Sequence, residues 1–188
     1  MNSSAALGQS HKLHIGLAEQ GKLHALKNNH TEALRHYREA IRLAVSTNAP
    51  EIFFRHYSQC VLESLELTAT YQDVIDYCEK AHQHYQNLEE TNELIKKDWA
   101  SALERLGVNY WKQGDPSLAT HWLSLALATF NELPLTKELL QWLARGFSAD
   151  KARIEALQKK HHYFVVRKEL TNAEVAISIE KLGAMVGP

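Results

Sequence analysis

The chain has 188 residues, 45% hydrophobic and 23% charged, with 21 basic against 22 acidic side chains and a net charge of −1. These values fit a globular domain with a buried core, and nothing in the charge balance calls for nucleic acid or an anionic membrane as partner. The opening MNSSAALGQS lacks an apolar core of signal-peptide length, and no stretch approaches the roughly 18 to 20 apolar residues of a membrane span. The expectation is a cytoplasmic protein with free thiols at Cys60 and Cys78.

In chain order, Leu13, Leu17, Gly21 and the run to Leu26 predict a first helix. Gly21 inside it costs about 1 kcal/mol against alanine, which points to close packing against a returning helix. Asn29 with Glu32 has capping-box spacing, and Ala33, Leu34, Tyr37, Ala40, Ile41, Ala44 and Val45 form the apolar stripe of a second helix. A weaker pair follows, with Leu62 where the glycine stood and Val74, Cys78, Ala81 and Tyr85 on its second helix. A helix over 92–112, roughly 30 Å long, carries Trp99, Leu103, Leu106, Gly107, Tyr110 and Trp111. Asp115 with Pro116 starts the next, with Ala119, Leu123 and Ala126 on its stripe. After Pro134 the pattern loosens: Leu139, Trp142, Leu143 and Phe147 fit a helix whose partner falls near 149–169. The stretch His161–Val166, HHYFVV, is aromatic and β-branched; it is expected as a buried helix segment, with an intermolecular strand as the minor alternative. Thr171 with Glu174 would cap a last amphipathic helix carrying Val175, Ala176, Ile179 and Leu182 and ending at Gly183.

Gly21, Ala33, Tyr37 and Ala40 recur at the same spacing as Gly107, Ala119, Leu123 and Ala126, an internal repeat. The pattern resembles the tetratricopeptide repeat family, with a glycine in the first helix of each pair and alanine, aromatic, alanine in the second. The repeats are offset by 41 and 45 residues, from Ala33 to Val74 to Ala119. The usual family unit has about 34, so these are elongated and are similar to kinesin-light-chain-type and bacterial peptide-sensor repeats. The resemblance implies an all-α, right-handed α-solenoid forming one domain over 1–188. Three hairpins would occupy 11–133, a degenerate fourth 134–170, and a C-terminal capping helix and tail 171–188.

It also implies a concave groove lined by first helices. Transferred to this chain, the groove carries Lys22 in the first unit, then His56, Gln59, Glu63 and Glu66, then Glu104, Val108, Trp111 and Lys112. Trp111 either anchors a ligand there or fills the space under the fourth hairpin. The family's carboxylate clamp is not reproduced, because its positions hold Ala18, Lys22, Gln59 and Glu63. The expected function is a scaffold or adaptor that holds a peptide segment or helix of a protein partner. The alternatives are a small chaperone for a secreted or assembling subunit, or a peptide-responsive regulator of another protein. Self-association through the C-terminal region is a further reading.

No phosphate loop, nucleophile elbow, HExxH or CxxC occurs, and a non-enzyme without cofactor is expected. Eleven histidines are many. His11 and His14 lie three apart and His56 lies four before Cys60, but solvated or packed side chains are the expectation, and no metal is assigned.

Overall fold

The computed structural model describes residues 2–185, with side chains from 11 to 182, so residues 186–188 of the expected C-terminal tail lie outside the described residues. It is all-α. Among the described residues the helices are α1 (Asn2–Leu26), α2 (His30–Ser46), α3 (Glu51–Leu67), α4 (Tyr71–Gln86), α5 (Glu93–Gln113), α6 (Pro116–Thr129), α7 (Pro134–Ala144), α8 (Lys151–Lys160) and α9 (Ile179–Met185). α1 packs on α2 and α2 on α3, and α4 packs on α5, α5 on α6 and α6 on α7, as antiparallel neighbours, most extensively α1 with α2 and α5 with α6. No helix among the described residues is long and apolar enough to cross a membrane.

The helix starts follow local chemistry. The Asn29 side chain accepts the Glu32 N–H at 3.3 Å, Asn92 accepts that of Ile95 at 2.9 Å, and Asp115 accepts that of Leu118 at 2.9 Å. Each cap satisfies a helix N–H that has no partner within the helix and contributes on the order of 1 kcal/mol. Gly114 ends α5 in the left-handed region at φ 101°.

The chain divides into two compact units. One comprises the residues up to Thr68 together with those from Phe164 onward; the other is Ala69–Tyr163. In the first unit, α1, α2 and α3 enclose Leu17, Ala18, Ala40, Ala44 and Tyr57, with Leu182 of α9 in the same cluster. A second cluster joins Ala33, Tyr37 and Cys60, against which Val165 and Val166 pack. In the other unit, Ala100, Leu103, Ala126 and Leu133 form one cluster. Val108, Trp111, Ala119, Leu123, Leu135, Leu139, Ile154 and Leu157 form a larger one.

The C-terminal third departs from the sequence expectation. α8 ends at Lys160 rather than near residue 169, and 161–167 is irregular rather than helical. The β-branched pair Val165–Val166 disfavours helix, and its half-buried side chains pack on Ala33, Tyr37 and Cys60 from irregular backbone instead. Thr171 does not start a long helix. The Asn172 side chain accepts the Glu174 N–H at 3.0 Å, one 3-10 turn forms at Ala173–Val175, and α9 begins only at Ile179.

The repeated glycines have a direct cause. A Cβ on Gly21 would stand 2.5 Å from the Tyr37 ring, and one on Gly107 would stand 2.6 Å from Leu123 Cγ. Each glycine lets a first helix lie against the large residue of the returning helix. Gly21→Ala is therefore expected to destabilise the protein, overpacking costing about 1–3 kcal/mol and outweighing the gain of about 1 kcal/mol in helix propensity. Urea unfolding monitored by circular dichroism measures the balance, and a midpoint at or above that of wild type would contradict the close-packing account.

Candidate functional site

The residues expected to line a groove fall into two sets. Lys22, His56, Gln59, Glu63 and Glu66 belong to the first unit, and Glu104, Val108, Trp111 and Lys112 to the second.

The second set is interior. Val108 and Trp111 lie in the cluster with Leu135, Leu139 and Ile154, and Trp111 is 1% exposed, meeting Trp142 edge-on at a ring separation of 6.4 Å. Lys112 Nζ donates to Gln158 Oε1 at 2.8 Å in buried surroundings. Glu104 Oε2 accepts both the N–H and the hydroxyl of Thr136, in the first turn of α7. Burial pushes the Glu104 carboxyl above its ordinary range, and the Thr136 hydrogen bonds pull only partly against it.

That direction fixes a pH dependence. A carboxyl that holds its proton more tightly when folded contributes stability that is full below about pH 4.5 and is lost as pH rises through the raised folded value. Glutamine copies the neutral acid and still offers an oxygen to Thr136. Glu104→Gln should leave the melting temperature unchanged near pH 4 and raise it relative to wild type at pH 7 to 8. Melting curves across that range check this, and a pH-independent difference would contradict it.

The first set surrounds the returning C-terminal segment. Glu63, 2% exposed on α3, accepts the N–H of Val165 through Oε1 and that of Val166 through Oε2, the latter at 3.0 Å. Glu19 on α1 accepts the Asn172 N–H at 2.7 Å and pairs with the buried Lys22 at 2.7 Å. The Ile177 N–H donates to the Gly16 carbonyl at 2.9 Å. A Cβ on Gly16 would stand 2.7 Å from Ile177 side-chain atoms, so the segment lies directly on the α1 backbone. Finally, the Ile179 N–H meets His36 Nε2 at 3.4 Å, and Arg35 pairs with Glu180 at 3.1 Å. Irregular main chain from 165 to 179, with 3-10 turns at Lys168–Leu170 and Ala173–Val175, is thus held by acceptors on α1, α2 and α3.

Tyr37 adds an incomplete element. It is fully buried in the cluster that receives Val165 and Val166, yet its hydroxyl has no hydrogen-bond partner among the described residues. Burial, and then the neighbouring Cys60, Glu63 and Glu19, push its ionisation far above the ordinary tyrosine range. His56 is half-buried and its pKa is lowered, first by burial and then by Lys22. Its Nε2 lies 4.0 Å from Cys60 Sγ, but the thiol is fully buried, which denies solvent access to a nucleophile there. Gln59 is half-buried and Glu66 is buried on the same helix.

His14, His36 and His82 are buried and hydrogen-bonded, and His11, His24, His30 and His161 form hydrogen bonds from half-buried positions. His14 bridges the Tyr57 hydroxyl at 2.7 Å and His11 at 3.0 Å, and burial lowers its pKa. His82 accepts the Trp99 indole N–H at 3.0 Å. One group missed in the sequence is different. His24, Glu32 and His36 present ligating atoms that all lie within 4.8 Å of one another. They sit on two helices across a turn, so no single-helix spacing announces them.

Comparison of the chain with protein-family models, with curated proteins and with solved structures finds no match.

Proposed function

We propose that this protein is an interaction module whose first unit receives a non-helical segment of a protein partner. The observation that carries the reading is the Glu63 carboxylate, buried and bound to two consecutive backbone N–H groups. A carboxylate accepting two consecutive main-chain amides is a charge-assisted grip on a non-helical chain bent so that both N–H groups face it, whatever its side chains. Selectivity then comes from apolar contact, as in other recognition of extended peptides. Here the contact is the Ala33, Tyr37 and Cys60 cluster for a β-branched pair, and the bare backbone at Gly16 for an isoleucine-like residue.

In this reading the protein's own segment 164–182 is the resident occupant, and an incoming segment takes its place. The resident leaves the Tyr37 hydroxyl unpartnered, an omission costing about 1–3 kcal/mol, and a partner carbonyl directed at that hydroxyl would remove the cost. The tetratricopeptide-like pairing and the solenoid arrangement belong to this proposal, supported by the Gly21–Tyr37 and Gly107–Leu123 contacts. So does the reading of a binding protein rather than a catalyst. Trp111 and the other interior residues of the second unit take no part. A second copy of the chain is one source of such a segment, by exchange of its C-terminal stretch.

The test uses the full chain and a fluorescent synthetic peptide of residues 164–182, read by anisotropy. Wild type should bind weakly, because its face is filled. Val166→Asp, which weakens the resident segment, should bind the peptide at least tenfold more tightly, and adding Glu63→Gln should abolish the gain. A Val166→Asp chain that is folded by circular dichroism and binds no peptide would overturn the proposal.

A further inference from the structure

We infer that His24, Glu32 and His36 form a binding site for a divalent transition-metal ion of the zinc or nickel type. Two imidazoles and a carboxylate are a donor set these ions take readily, with further positions left to water. Local structure assembles all three. His24 is in the last turn of α1, and Glu32 and His36 stand one turn apart on α2, so they share a face. The α1–α2 connection is three residues, with Asn28 at φ 58° and Asn29 capping α2, so the donors are held on a short hairpin. The ligating atoms already lie within 4.8 Å of one another. Tetrahedral zinc with bonds of 2.0–2.1 Å needs about 3.4 Å between ligand atoms, a difference that side-chain rotation spans without moving the helices.

The surroundings set the protonation that a ligand needs. The Nδ1–H of His36 donates to the Glu32 carbonyl oxygen at 2.8 Å, which fixes the tautomer and leaves the Nε2 lone pair as the donor. A backbone carbonyl on the far nitrogen is the usual support of a metal-bound histidine. His36 is 1% exposed, while His24 and Glu32 are half-buried and form the opening to solvent. The two rings are 4.9 Å apart between centroids. Arg35 pairs with Glu32 Oε2 at 3.2 Å and with Glu180 at 3.1 Å. Its side chain is half exposed and solvent screens its charge.

One consequence separates this site from chance chelation. The lone pair that would take the ion is the one now facing the Ile179 N–H at 3.4 Å. The ion and the start of α9 compete for His36 Nε2, so metal binding should loosen the C-terminal segment, and docking of that segment should weaken metal binding by the same factor.

Titration of the full chain with zinc at pH 7.5, against a chromophoric chelator, tests the site. One equivalent should bind at micromolar or better affinity, and His24→Ala and Glu32→Gln should each weaken it at least tenfold. His11→Ala, at the other histidine pair, should leave it unchanged. Zinc should also speed amide hydrogen exchange at Ile179. His36→Asn need not fold and is not required. Binding no tighter than about 0.1 mM, or tight binding unaltered in both His24→Ala and Glu32→Gln, would overturn the inference. Peptide binding by Val166→Asp is measured without zinc and so stands independently of either result.

Discussion

The approach of α1 to α2 at Gly21 is the constraint on which the first unit depends. With no side chain at that position, the Tyr37 ring lies directly against the helix, and the buried alanines at 33, 40 and 44 keep the rest of the contact close. Close packing of the two helices aligns everything built on them. Glu19 and Gly16 lie one turn apart on α1, where they accept the N–H groups of Asn172 and Ile177 in the C-terminal segment. His24 stands opposite Glu32 and His36 for the same reason. Widening the helix pair by one methyl group would disturb both arrangements together.

Two buried glutamates show how the fold uses carboxylates. Glu63 binds the amides of Val165 and Val166, and Glu104 binds the amide and hydroxyl of Thr136. In each case the main-chain donor has no acceptor in regular structure: one pair lies in irregular backbone, the other donor in the first turn of a helix. Burying a carboxylate is costly unless its oxygens are bonded, so the acceptor and the unpaired amide satisfy each other. The chemical difference lies in what is held. Glu104 fixes a helix start inside its unit, whereas Glu63 holds irregular main chain that returns to its unit from about a hundred positions later.

The histidines divide by the same logic of satisfaction. His14 with Tyr57, His82 with Trp99, and His161 with Glu138 each have a partner that accounts for their placement. Neutral imidazole offers one donor and one acceptor, which suits a helical interior that lacks other small polar groups. Only at the α1–α2 turn do two imidazoles and a carboxylate converge, and only there does metal chemistry become available among the described residues.

Helices, caps and the glycine-to-large-residue contacts were legible in the sequence, because they depend on interactions within a few residues or on a strict periodicity. Asn29, Asn92 and Asp115 start their helices where the pattern places them, and Gly21 meets Tyr37 as its cost in helix propensity implied. The path of residues 161–178 was not legible. Apolar β-branched side chains can be buried by a helix, by a strand or by a fixed irregular chain, and no local interaction separates these. The deciding partner for Val165 and Val166 is Glu63, about a hundred positions earlier. Trp111 shows the same limit: an aromatic residue on an amphipathic helix serves a groove or a core equally well until the neighbouring helices are in place. Secondary structure was therefore determined by short-range chemistry within the sequence, while tertiary packing alone decided which polar groups face a ligand and which seal the interior.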